Sequence, residues 1–461
     1  KMNLAVHGLV GDIKKAITYY EDPHNLLGKA DFVMANPPFN VDEIDADKIK
    51  NDPRLPFGLP GVNKKGKVSN GNYIWISYFY SYLNNTGRAG FVMSSQASSA
   101  GQGEAKVRQK LIETGDVDIM IAIRSNFFYT RTVPCELWFF NKAKPEAMKD
   151  KVLMIDARNI FRKVTRKIYD FSPEQLQNIL SIIWLYRSEP RRFHDLAAGY
   201  LSQSLDESIK CFVMKDSEGK EIKPIGDYAG AFAKLRKEIE PFIVSLPEDG
   251  EQAETLKQLD ESIKYFSNGV KEFENKSKQK NKWWSEQDRD SVNLQKTVER
   301  SAPFAEQSHN LLKEAELMYR LVNRLIDLCL NSLEAKESEK WDTRLIASLK
   351  KQAEEARDKA IEQLKKVRYF YHQAEWLVER FPEEKLCDVE GLVKLVDRKE
   401  LKENDWSLTP GRYVGVAPEE IDEDFDFGEA MRTIHSELED LNAQSADLAE
   451  RISGNFRKLG I

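Results

Sequence analysis

The 461-residue chain has little of what disulfide or metal chemistry requires. Its four cysteines, Cys135, Cys211, Cys329 and Cys387, lie far apart without a C-x-x-C pair, and its six histidines do not cluster. That spacing argues against a disulfide framework and a zinc site, so no metal is expected and a reducing, cytoplasmic setting is the default. Long apolar runs are also missing. No stretch is long enough to cross a bilayer, and Lys1-Met2-Asn3-Leu4 does not begin a signal peptide, so no membrane partner is expected. Positive charge is in deficit as well. The formal net charge is -6, which excludes a general attraction of the whole chain for phosphate.

What is present reads as two or three domains of different character. Lys1 to Gly11 reads as the end of a helix followed by a turn, and Ile13 to Pro23 offers one short strand. Apolar runs at Asp31–Ala35, Arg88–Ser94, Asp118–Ile123, Cys135–Phe140 and Val152–Asp156 predict strands. Helices are predicted over Tyr73–Leu83, ended by Asn84-Asn85-Thr86-Gly87, and over Glu104–Glu113. Alternation of the two types gives an α/β domain with a largely parallel sheet, over residues 1–172. A Pro- and Gly-dotted loop, Asn40 to Asn72, carries Lys64-Lys65-Gly66-Lys67, which is either a phosphate contact or a solvated charge run.

From about Pro173 to residue 400 the chain becomes helical and charged. Leu256, Leu259, Ile263, Phe266, Val270 and Phe273 step by threes and fours. So do Leu311, Ala315, Met318, Val322, Leu325, Cys329 and Leu333, and again Ile346, Leu349, Ala353, Ala356, Ala360, Leu364 and Val367. Narrow apolar stripes of this kind predict coiled-coil hairpins, packed on one another or on a helical partner. Trp283-Trp284 reads as a turn or local anchor. A last segment, 401–461, ends in a helix striped by Phe427, Met431, Ile434, Leu438, Leu441, Leu448 and Ile452, which suits subunit assembly.

The stretch with the most chemistry is Ala30-Asp31-Phe32-Val33-Met34-Ala35-Asn36-Pro37-Pro38-Phe39. An apolar strand runs into two prolines, which cannot donate to a sheet ladder and so stop it. The stiff turn then falls at the carboxyl end of a strand, where open α/β sheets bind ligands. The Asn36 carboxamide oxygen and the Pro37 carbonyl can each accept a hydrogen bond from one amino group, turning its lone pair towards an electrophile. Phe39 offers a flat face to a planar ring.

This Asn-Pro-Pro-Phe turn resembles the catalytic motif of the amino-methyltransferases that act on adenine N6 or cytosine N4 in DNA. The run of MNLAVHGL, DFVMANPPFN, GRAGFVMS, IAIRSNFFYTRTVPCELWFFNK and VLMIDARNIF, with SLTPGRYVG from Ser407 to Gly415, is similar to the methylation subunit of type I restriction-modification systems. The resemblance implies a Rossmann-like, S-adenosylmethionine-dependent sheet followed by a long helical region. It implies Asn36, Pro37, Pro38 and Phe39 as catalytic positions, and an aromatic between the late strands, Phe128 before Phe127, stacked on a flipped base. Double-stranded DNA, a specificity subunit, a second methylation subunit and a restriction subunit are the partners it implies. The acidic balance agrees with a DNA grip supplied mostly by another subunit.

The chain departs from that family in one respect. The family's glycine-rich cofactor loop lies upstream of the catalytic turn, and the thirty-five residues before Asn36 contain none; Gly8 and Gly11 stand too close to the strand. The expectation is a chain lacking the first strands of its sheet, with strand Asp31 to Ala35 bared along an edge. A cofactor-adenine contact falls near Tyr19-Tyr20-Glu21-Asp22, with Asp22 as the candidate and a turn cap as its plain structural role. Two alternatives follow: a non-catalytic assembly fragment that binds the specificity subunit, and a methyltransferase acting on protein glutamine, a class that commonly has Tyr where this chain has Phe39.

Overall fold

The computed structural model describes residues 2–127, 133–165, 168–247, 249–331 and 333–417, together with Met431, Ile434, Leu438, Ser445, Leu448 and Ile452. The chain divides into two units, Lys1–Gly415 and Val416–Ile461.

The first unit is built on a six-stranded sheet. Its strands are β1 (Ala30–Ala35), β2 (Leu83–Ser94), β3 (Val117–Ile123), β4 (Cys135–Asn141) and β5 (Lys151–Asp156). A hairpin follows, β6 (Arg162–Thr165) with β7 (Ile168–Asp170), and the sixth sheet strand, β8 (Val393–Asp397), comes only after the helical region. The sheet order is β1-β2-β4-β3-β5-β8. Here the structure corrects the expectation of a largely parallel sheet. β1, β2, β3 and β5 run one way, but β4 is inserted antiparallel between β2 and β3, and β8 is antiparallel to β5. The link between β3 and β4, residues 124–134, is shorter than the crossover of about a dozen or more residues that a parallel pair needs, and the two strands run antiparallel.

Two further corrections concern local structure. Residues 7–29 contain no strand, so the one expected in Ile13–Pro23 is absent. The Asn84-Asn85-Thr86-Gly87 run does not form a loop but lies within β2, directly after helix α1 (Asn72–Tyr82). The expected helix Glu104–Glu113 begins two residues earlier, as α2 (Gln102–Glu113). Inside the long loop, Ile44–Asp45 pairs with Lys67–Val68.

Alternation along the strands feeds two core layers. Ile119, Ile121, Ile123, Leu153 and Ile155 face the helical region. Phe91, Met93, Met120, Trp138, Phe140, Val152 and Met154 face α1, α2 and residues 401–414. The helical layer comprises α3 (Pro173–Tyr186), α4 (Pro190–Lys210), α5 (Pro224–Ile243), α6 (Glu251–Ser285), α7 (Leu294–Asn331) and α8 (Thr343–Arg380). Its stripes pack on one another: Leu259, Phe266, Phe273, Leu311, Ala315, Val322, Ala353, Ala360 and Leu364 all lie in the same core. Phe273 stacks on Phe304 at 4.9 Å, and the Tyr228 hydroxyl donates to the Ala315 carbonyl at 2.8 Å. Trp284 is the anchor of the tryptophan pair, its indole N–H donating to Ser202 Oγ at 2.7 Å.

A buried ion pair fastens this layer to the sheet. Asp118 on β3 is 1% exposed and accepts from Arg187, at the end of α3, and from the Tyr186 hydroxyl at 2.9 Å. The layer stops short of β1, an edge strand, where Phe32 and Met34 are 75% and 89% exposed.

On the opposite face, Arg108 of α2 is 2% exposed and holds the returning chain. Its guanidinium donates to the carbonyls of Trp406 and Ala100, both at 2.7 Å, and of Asp405 at 3.3 Å. Leaving buried carbonyls without a donor costs about 1–3 kcal/mol each. Arg108→Met is expected to lower the unfolding free energy by about 3 kcal/mol. The measurement is a urea transition, with the midpoint falling at unchanged slope. An unmoved midpoint would mean that the Trp406 segment is held by other contacts.

Candidate active site

Because β1, β2, β3 and β5 are codirectional, their carboxyl ends meet along one edge of the sheet. Asn36, Ser94, Arg124 and Ala157 each stand at or just beyond such an end. Ala35 is the last paired residue of β1, opposite Phe91. The turn that follows has Asn36 exposed, Pro37 buried, Pro38 exposed and Phe39 half-buried, packed against both core layers. Among the described residues, neither the Asn36 carboxamide nor the Pro37 carbonyl is taken up by a hydrogen bond. Both acceptors stay open at the sheet edge.

What holds this turn was not visible in the motif itself. Asn40 sits in the left-handed region, φ +55°, which Asn tolerates better than most residues. Its N–H donates to Asn72 Oδ1 at 2.8 Å, and Asn72 Nδ2 donates back to Asn40 Oδ1 at 2.9 Å. Asn72 opens α1 and is 1% exposed; its own N–H donates to Asn70 Oδ1 at 2.9 Å. The Gly71 N–H donates to the Val41 carbonyl at 2.7 Å, and a Cβ on Gly71 would meet Ile44 Cδ1 at 2.7 Å. The turn is thus clamped against the start of a buried helix. A pair of asparagines thirty-two residues apart gives no sequence signal beyond their shared polarity.

The residues before β1 are fixed by Arg54, another residue the sequence reading did not single out. It is 3% exposed, forms an ion pair with Asp52 at 2.7 Å and lies 4.0 Å over the Tyr78 ring. It donates to the carbonyls of Thr18 and Glu21, both at 3.0 Å. Asp22 next to them accepts from the Leu26 N–H at 3.0 Å, the turn cap that is its plain role. No strand followed by a glycine-rich loop precedes β1 among the described residues, so they do not fit a complete cofactor cradle.

After β3, the Arg124 guanidinium lies against both the Phe161 and Tyr169 rings, at 4.2 and 4.7 Å, and those rings meet edge to face at 5.1 Å. Phe127 packs on Phe171 with ring centroids 4.4 Å apart, half-buried against the helical core. Phe128 lies outside the described residues. Of the Lys64–Lys67 run, Lys67 is paired with Asp45 at 3.0 Å.

A buried polar cluster underlies the edge. Glu136 on β4 is 1% exposed and accepts from Ser98 Oγ at 3.1 Å; Ser98 and Thr409 hydroxyls are 2.7 Å apart. Glu136 Oε2 and Ser94 Oγ have no hydrogen-bond partner among the described residues. Burial pushes the Glu136 carboxyl up to about 8, with Ser98 and Arg158 pulling it back. Thr409 brings the Ser407–Gly415 segment to this edge. No group of three or more metal-ligating side chains and no helix long and apolar enough to cross a membrane occurs among the described residues.

The turn lies within a stretch that is similar to known proteins. Residues 1–203 match the model of the N-6 DNA methylase family. The chain is 36% identical over 279 residues to the type I restriction enzyme MjaIX methylase subunit of Methanocaldococcus jannaschii, covering 59% of this chain and 47% of that protein. It is 29% identical over 208 residues to the HindI methylase subunit of Haemophilus influenzae, covering 45% of each. A solved type I methyltransferase subunit from Streptococcus thermophilus aligns at 24% identity and a TM-score of 0.35, covering 39% of this chain and 37% of that one. The chain therefore resembles type I methylation subunits and spans about half the length of the curated relatives it matches.

The Glu136 carboxyl makes stability depend on pH. Because burial raises it above its ordinary value of 4.5, the native state keeps a proton that the unfolded chain releases. Its contribution is full below about pH 4.5 and fades as the pH rises through about 8. Glu136→Gln removes that dependence. Urea midpoints at pH 5 and pH 8.5 are expected to show the variant gaining on the wild type at the higher pH. Parallel behaviour of the two proteins would show that the carboxyl is not held neutral.

Proposed function

We propose that this chain carries the acceptor half of the active site of an S-adenosylmethionine-dependent adenine-N6 DNA methyltransferase, within a type I restriction-modification enzyme. The observation that carries the reading is the open pair of acceptors, Asn36 Oδ1 and the Pro37 carbonyl, on a clamped turn inside the stretch matched to the N-6 DNA methylase family. An adenine amino group has two N–H donors, and these two acceptors take a hydrogen bond from each. The lone pair is left pointing away from them, and Phe39 lies against the ring. A base held in this way has left the helical stack. Stacking on Phe128, with Phe127 second, offsets part of the cost of extruding it, at about 1–3 kcal/mol.

Catalysis in this chain is a matter of position. Fixing the amine in one orientation converts an encounter into a near-attack geometry. S-adenosylmethionine supplies the methyl group in such enzymes. No donor step is assigned to the residues of this chain, because those before β1 do not form a cradle, and Asp22 serves its turn. The family match favours a nucleic-acid base over a protein glutamine as acceptor. Double-stranded DNA, a specificity subunit, a second methylation subunit and a restriction subunit are the partners in this reading. The exposed helical residues Met431, Ile434, Leu438, Leu448 and Ile452 support a role for the second unit in assembly.

Asn36→Ala in the assembled enzyme is expected to abolish adenine methylation, read as N6-methyladenine in digested DNA, while assembly by gel filtration stays intact. Wild-type methylation by that variant would sink the acceptor assignment, and methylation of a glutamine peptide instead of DNA would overturn the substrate. Asn72 acts through Asn40 as a positioning residue. Asn72→Ala is expected to lower kcat by roughly 100-fold with little change in KM for DNA, since misplacement of the reacting group by about 1 Å costs that much. Asn72→Asp, which still accepts from the Asn40 N–H but cannot donate back, should fall between. A change confined to KM would show that the clamp does not position the amine.

A further inference from the structure

His194, near the start of α4, takes no part in the acceptor chemistry. It is 7% exposed, and both of its ring nitrogens are engaged. Nδ1 lies 2.9 Å from Glu384 Oε1, and Nε2 lies 2.7 Å from the Arg289 carbonyl. A carbonyl can only accept a hydrogen bond, and so can an ionised carboxylate. A neutral imidazole has one N–H, so it satisfies one of these partners and sets a lone pair against the other. The imidazolium has two N–H donors and satisfies both. The geometry calls for a charged ring in a nearly buried place.

The two partners come from different parts of the chain. Arg289 belongs to the connection between α6 and α7, residues 286–293. Glu384 belongs to the exit from α8, residues 381–392, which leads into β8. Asp290 in the connection pairs with Arg191 of α4, and Arg191 also holds Asp195 at 3.0 Å. Next to His194 in the chain, Phe193 meets Phe381 of the exit edge to face at 6.0 Å. The far end of the exit is tied to the sheet, where the Asp156 N–H donates to the Leu392 carbonyl at 2.8 Å.

The charged groups around His194 are therefore Arg191 and Asp195 of α4, Arg289 and Asp290 of the connection, and Glu384 of the exit. Arg191 is answered by its two aspartates, and the Arg289 guanidinium lies over the Trp284 ring at 6.0 Å. Glu384 is left as the counter-ion of the ring. Burial works against the charge, but the Glu384 carboxylate and the Arg289 carbonyl outweigh it and raise His194 above its ordinary 6.5.

We propose that His194 is a proton-operated clasp, which fastens the α6–α7 connection and the exit of α8 to α4 and opens when the ring gives up its proton. The inference stands independently of the methyltransferase reading. Because the folded value is raised, the clasp is fully closed below about pH 6.5 and opens as the pH rises through that raised value. It sets a proton-sensitive joint on the path from the helical layer to β8.

The test is hydrogen exchange of the full chain between about pH 5.5 and 9, corrected for the intrinsic rate and read segment by segment. Relative to β3 and β5, residues 286–293 and 381–392 are expected to lose protection by roughly 10- to 100-fold as the pH rises. That is the size of a charge-assisted hydrogen bond lost in a local opening. His194→Gln has no ring proton to lose and should show no such step. Glu384→Gln still accepts but carries no charge, and should move the step to lower pH; it keeps the test decisive where His194→Gln fails to fold. The ring's own titration, read by NMR of labelled histidine as the resonance that Glu384→Gln moves, should have its midpoint above 6.5. A step that Glu384→Gln leaves in place, or two segments equally protected across the range, overturns the clasp. So does a ring midpoint at or below 6.5.

Discussion

A strand that ends in two prolines loses its ladder at the point where the chemistry has to begin. The turn after β1 cannot be held by the sheet, because neither Pro37 nor Pro38 has an N–H to donate. The reciprocal amide pair of Asn40 and Asn72 replaces that ladder. It also solves the conformational problem at Asn40, whose left-handed backbone is fixed by two bonds to a buried side chain. With the clamp in place, Asn36 and the Pro37 carbonyl can remain without internal partners. An acceptor already bonded within the protein could not be offered to an amine.

The same division between bracing and service runs through the edge. Arg54 and Arg124 are both cations that brace the fold, Arg54 buried and Arg124 half-buried against two rings. Arg54 secures Thr18 and Glu21, and Arg124 joins the loop after β3 to the hairpin. Behind them the buried Asp118–Arg187 pair locks the helical layer to β3. Burying such a pair gives little net stability, since desolvation offsets the attraction, but it fixes register. Here register decides which way the carboxyl ends of β1, β2, β3 and β5 point relative to the helices.

How much of this was legible in the sequence depends on the range of the signal. Apolar runs located all five strands up to Val152–Asp156; β3 and β5, buried on both faces, write themselves as continuous hydrophobicity, whereas β1 is apolar although Phe32 and Met34 are exposed. The helical stripes were equally plain, and Phe266 and Phe273 do lie in the core they predicted. Direction was not legible: nothing in Cys135–Asn141 says that β4 is inserted antiparallel, and Val393–Asp397 joins the sheet from beyond two hundred residues of helix. The site divided in the same way. The proline turn could be read because its chemistry is local. Asn72, Arg54 and Glu136 could not, because each owes its role to partners distant in the chain.

The acidic balance of the chain and its basic hairpin are compatible once distance is considered. Surface charges farther apart than about 8–10 Å are largely screened at physiological salt. A net charge of -6 spread over 461 residues therefore says little about the few residues that would lie against a phosphate. Local density decides that contact, and the interval from Ala157 to Tyr169 has five cations and no anion. Part of the acidic charge lies on α6 and α8 in same-helix pairs such as Lys276–Glu272 and Lys366–Glu362. Pairs of that kind cancel within a few ångströms and contribute little beyond their own surface. Whole-chain charge argues against non-specific adhesion to nucleic acid, and any phosphate contact is decided by the few residues within that range.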